Sequence, residues 1–120
     1  MDKQQFYNSF WQQASGLTAY EENAIPDNAT LPYCTYQTIT DSLNYAVFPA
    51  AHIWDNNESW ETLDGVLNRI TGFIGTGKTF TIDGGGAFIC KGSPFAQRTT
   101  DDTGAKGYLI NIQVEFFTEV

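Results

Sequence analysis

The sequence predicts an α+β domain. An antiparallel or mixed sheet of four to five strands, built from two hairpins and a C-terminal strand, is covered by one long central helix over 57–74 and a short N-terminal helix. Three patterns lead to that reading. Trp60, Leu63, Leu67, Ile70 and Ile74 recur at spacings of three and four, and Val66 and Phe73 widen the stripe to that of a helix lying on a core. Tyr108, Ile110, Ile112, Val114 and Phe116 alternate with Asn111, Gln113 and Glu115, the pattern of a strand with one buried face. Thr79 to Asp83 and Ala87 to Lys91 flank Gly84-Gly85-Gly86, residues that tolerate the positive φ of a tight hairpin turn. A chain of 120 residues has room for one domain, 1–120, and one core.

In chain order, Phe6, Tyr7, Phe10, Trp11 and Ala14 have helical spacing within 2–15, and Ser15-Gly16 ends that short amphipathic helix. Leu17 to Leu31 turns polar and irregular, with Glu21, Glu22, Pro26 and Asp27, and is expected to be a surface excursion. Pro32 to Thr40 is rich in aromatic and β-branched residues and makes the first strand, with Pro32 at its permitted start. Asp41 to Tyr45 connects it to a second strand, Ala46 to Trp54, in which Pro49 marks a bulge or an edge. These two form the first hairpin. Asp55, Asn56 and Asn57 offer N-caps to the central helix, Glu58 and Glu61 suit the positive end of its dipole, and Gly75 supplies its left-handed stop. Gly92 to Lys106, polar apart from Phe95, is expected to be a long mobile loop that orders on assembly.

Fourteen acidic against six basic residues give a net charge of −8 and argue against phosphate-neutralising nucleic-acid binding, which needs clustered Lys and Arg. Gly72 to Thr79 satisfies the phosphate-loop pattern G-x-x-x-x-G-K-[ST], so a nucleotide-binding domain using that loop is one alternative. Its mechanism needs a strand before the glycines and a helix after them, whereas here a helix enters and a strand leaves. Catalysis finds no other foothold. His52 is the sole histidine, in a strand, Asp101-Asp102 are adjacent loop carboxylates, and Cys34 and Cys90 read as buried strand thiols. The reading is therefore not an enzyme, with no cofactor and no metal site. Met1 to Gln5 opens polar with no apolar leader after it, so a reducing cytoplasm is expected, and no run approaches membrane-spanning length.

Pro32-Tyr33-Cys34-Thr35-Tyr36-Gln37, followed by Ala51-His52-Ile53-Trp54 and by Ser59-Trp60 opening the helix, resembles the small tail-terminator or tail-completion proteins of long-tailed bacteriophages. Ile112-Gln113-Val114-Glu115-Phe116 is also similar to the last strand of such proteins, and the likeness runs from about Leu31 to Val120. What the resemblance implies is an α+β fold and a homo-oligomeric ring, commonly a hexamer. The ring caps the head-proximal end of the tail tube and joins tail to head. Its partners would be further copies of itself, the tail tube protein and the head connector, with DNA only as a passing polyanion and no membrane. Its place would be the virion, after assembly in the host cytoplasm. A stand-alone protein-interaction module is the remaining alternative. Eighteen aromatic residues in a small acidic chain suit subunit contacts, and Phe10, Trp11, Phe95, Arg98 and Phe117 are the candidate contact residues.

Overall fold

The computed structural model describes residues 1–40, 46–56 and 58–118. The expected connection Asp41 to Tyr45, the cap Asn57 and the last two residues lie outside them. The fold is α+β, with two helices, α1 (Lys3–Ser15) and α2 (Glu61–Ile74), on one side of a mixed sheet. The strands are β1 (Ala19–Glu21), β2 (Tyr33–Tyr36), β3 (Ala46–Val47), β4 (Ala50–Asp55), β5 (Lys78–Ile82), β6 (Gly85–Thr100) and β7 (Lys106–Thr118). They make one seven-stranded sheet in the order β1-β2-β4-β7-β6-β5, with β3 also on β7. The expected four to five strands are thus too few.

β1 is one addition. It lies inside the expected excursion and runs parallel to β2, the sheet's parallel pair. Three residues are too few for an alternation to show, and tertiary pairing rather than propensity makes them a strand. The first hairpin holds: β2 pairs antiparallel with β4, and Gln37 extends the pair by accepting the Ala50 N–H at its Oε1. β3 and β4 are two halves of the expected second strand. Val47 faces Val114 and Ala50 faces Asn111, three residues on along each strand, so the register runs unbroken past Phe48 and Pro49. Pro49 has no N–H to give the ladder, and its carbonyl accepts the Ile112 N–H instead. The second hairpin also forms, with Ile82 opposite Gly85, so Asp83-Gly84 is the turn and Gly84 has φ of 76°.

The expected loop 92–106 is the main correction, because β6 runs through it to Thr100 and pairs with β7. Two separate punctuation marks lie in that stretch. Gly92 to Phe95 form a bulge: β6 advances five residues from Lys91 to Ala96 while β7 moves two from Ile112 to Ile110. Asp101 then closes a tight turn, its Oδ1 accepting the N–H groups of Thr103 and Ala105. The surplus of three is odd, and side chains alternate with period two, so the bulge reverses the facing of β6. Before it, Ala87 and Ile89 point to the helices; after it, Ala96 and Arg98 do.

The central helix begins at Glu61, later than expected. The Glu61 N–H goes to Ser59 Oγ, and the first helical bond runs from the Asp64 N–H to the Trp60 carbonyl. α1 covers the core at least as much as α2 does. It buries Phe6, Tyr7, Phe10, Trp11, Ala14 and Ser15, whereas α2 fully buries Leu63, Ile70 and Ile74. A capping box between Asp2 and Gln5 starts α1, Gly16 ends it, and Arg69 Nη2 ties it to α2 through the Gln13 carbonyl. The core is the layer between these helices and the inward side chains of the sheet, among them Cys34, Ile53, Ile89, Ile110, Ile112, Val114 and Phe116.

Candidate interaction surface

Five residues were expected to make subunit contacts, and the fold disperses them. Phe10 and Trp11 are buried in the chain's own core, where Phe10 meets Trp11, Phe73 and Phe80 ring to ring. They are not free for a partner. The N-terminal segment is packed rather than peripheral because α1 buries its own aromatic stripe; at the surface beside it the Met1 ammonium bonds Asp83 Oδ1 at 2.9 Å, and the Met1 carbonyl accepts the Asp83 N–H. Phe95 also folds back, packing on the core with Lys91 Nζ 5.6 Å from its ring centre. Arg98, turned inward by the bulge, stacks 4.3 Å over Trp60, donates from Nε to the Tyr108 hydroxyl, and lies 3.5 Å from Asp64. Tyr108 in turn donates to Asp64 Oδ1. The cluster fastens the tip of the β6–β7 hairpin to the start of α2, and these groups hold the Arg98 guanidinium pKa above its ordinary value.

Of the five, Arg98 keeps 54% of its side chain in water although it engages Trp60, Tyr108 and Asp64, and Phe117 is the exposed apolar one. It lies on the sheet face away from the helices, directly across from Gly86, and its ring occupies the space a Gly86 Cβ would need, 2.4 Å from it. Phe88 lies on the same face across from Glu115, with its ring over Gly77 in the same way. By register Phe48 falls opposite Gln113, again on this face. The three are 39%, 38% and 64% exposed, so most of the described large apolar side chains left in water share one surface. The remaining outward positions of β3 to β7 are Ala46, Ala50, His52, Trp54, Thr79, Thr81, Cys90, Gln97, Thr99, Gly107, Leu109, Asn111, Gln113 and Glu115. Glu115 is the one carboxylate among them. Lys78, Lys91, Arg98, Lys106 and Asp55 all fall on inward positions instead. A surface with aromatic side chains and little charge is the composition of an interface core.

The sequence pattern marked Phe117 through its place near the chain end and missed Phe48 and Phe88. The signal for Phe88 was present, since it interrupts the inward pair Ala87 and Ile89. Phe48 next to Pro49 gave none.

Other groups have structural engagements. His52 stacks on Trp54 with ring centres 4.9 Å apart, and burial lowers its pKa against the opposing pull of Glu22. Burial pushes the Cys34 thiol up, which leaves it protonated and unreactive. In the phosphate-loop-like segment the Gly75 and Gly77 N–H groups bond back to Thr71 and Ile74 carbonyls, and Lys78 Nζ sits 3.8 Å from the Phe73 ring centre. These amides close a helix C-terminus rather than a phosphate cradle. A shallow depression of about 550 Å³ along Gln4, Gln5, Asn8, Ser9, Gln12 and Gln13 has no titratable side chain in its lining. Among the described residues no three of His, Cys, Asp and Glu group as metal ligands, and no helix is long and apolar enough to cross a membrane. Neither a protein-family model nor a curated protein matches the chain.

Proposed function

We propose that the chain is a structural protein of a long-tailed phage virion, which closes the head-proximal end of the tail tube and joins tail to head as a ring of about six copies. The observation that carries this reading is the sheet face left open by the described residues, with Phe48, Phe88 and Phe117 on it, a broad surface suited to protein contact rather than a cleft suited to a small substrate. The likeness of Pro32 to Gln37, Ala51 to Trp54 and Ile112 to Phe116 to tail-terminator proteins supplies the kind of assembly. A net charge of −8 suits a ring through which DNA must pass without adhering. The tube protein and the head connector are its other partners.

Negative-stain imaging and light scattering of the purified protein, alone and mixed with tail tubes, test the proposal. Ring-shaped particles and closed tube ends are the expected result. A protein that stays at 13.4 kDa at every concentration and leaves tube ends open overturns it.

A further inference from the structure

We infer that the open sheet face is the surface through which one copy of this chain meets another, with Phe48, Phe88 and Phe117 as its anchors. The inference rests on the ring reading above and adds where the contact lies. Its first support is the distribution of charge. With fourteen acidic residues, two copies approaching by most surfaces bring carboxylates against carboxylates. On the open face the outward positions from β3 to β7 carry Glu115 as their one carboxylate, so the unlike patch of a neighbouring copy that a closed ring requires can dock there without setting carboxylates against carboxylates. A strongly basic partner would be drawn to the acidic surfaces instead.

The second support is the way the anchors are held. Phe117 and Phe88 lie across Gly86 and Gly77, whose missing Cβ atoms leave the rings a flat seat; a Cβ would come within 2.4 Å and 2.5 Å of them. Covering the Gly86 backbone in β6 stabilises the sheet, yet each ring keeps more than a third of its residue's surface in water. Rings fixed before contact lose little freedom on association. The third support is area. The molecule measures 50 × 30 × 20 Å, and its broad side projects to roughly twice the 800 Å² or so that one partner contributes to a standard interface.

Glu115 supplies a readout of opposite sign. It stands between Phe88 and Ala46, so a second copy would strip water from its carboxylate. Phe48→Glu should weaken self-association at least about tenfold, as loss of a buried aromatic anchor does. Glu115→Gln, which keeps the shape and removes the charge, should tighten it. Gln12→Glu on the solvent side of α1 is the control and should leave it unchanged. Sedimentation velocity over a concentration series, with thermal melting to confirm that each variant is folded, measures all four proteins, and tube capping is scored beside it.

That pattern of weaker, tighter and unchanged association supports the inference. If Phe48→Glu and Glu115→Gln assemble as the parent does, the copies meet elsewhere, and the inference falls while the ring reading stands. If the parent is monomeric in solution and Phe48→Glu loses only tube capping, the face belongs to the tube protein, with the same consequence. A parent that neither associates nor caps removes both.

Discussion

Leu63 and Leu67 stand one turn apart on α2, yet Leu63 is wholly buried and Leu67 only partly. Periodicity places both on the apolar stripe without ranking them, because rank depends on how closely β4, β6 and β7 approach each turn of the helix. Leu63→Ala should therefore cost about 2–5 kcal/mol, the range for truncating a closed core site. Leu67→Ala should cost distinctly less. Urea denaturation of the two variants checks the order. His52 carries a pH dependence with a definite sign. Its folded pKa is lowered by burial beside Trp54, so the unfolded chain takes up the proton first as pH falls. The stability it contributes is complete above the unfolded value of about 6.5 and is lost as pH drops through that value towards the folded one. Melting temperature should fall more steeply between pH 7 and pH 5 in the parent than in His52→Gln. Equal slopes would show that other groups govern that window.

Elements that carry their own pattern were legible in the sequence, the short strands of the β2–β4 hairpin included, and those defined by their partners were not. α1, the helical run to Ile74, β7 and the β5–β6 hairpin each carry their own periodicity. β1 exists because β2 lies beside it, and Gln97 to Thr100 are strand because Lys106 to Leu109 pair with them. Composition alone made Gly92 to Lys106 read as one loop, since a bulge at Gly92-Ser93-Pro94-Phe95 and a turn at Asp101 to Gly104 use the same residue types. Hydrogen exchange discriminates these readings. Amides of Ala96 to Thr100 that bond to β7 should exchange far more slowly than those of Ser93 and Phe95 in the bulge. Uniform fast exchange from 92 to 106 would restore the mobile loop.

At the scale of the whole molecule, the class of fold could be read and the usable surface could not. Aromatic excess in an acidic chain raised the question of where the rings go, but a linear sequence does not say that α1 lies against the sheet and takes Phe6, Phe10 and Trp11 inside. It does not say that a 20 Å thickness holds one sheet and one helical layer, with no helix among the described residues on the second sheet face. The odd surplus of residues between Lys91 and Ala96 reaches further than the strand it bends. Any natural or engineered version of this chain that lengthens or shortens that stretch must do so in steps of two. A single-residue deletion would carry Gln97 and Thr99 to the helices, turn Arg98 out over the open face and part it from Asp64, Tyr108 and Trp60. Length variation at this site should therefore obey an even-number rule, one that an alignment of sufficiently diverged sequences could reveal without any structure.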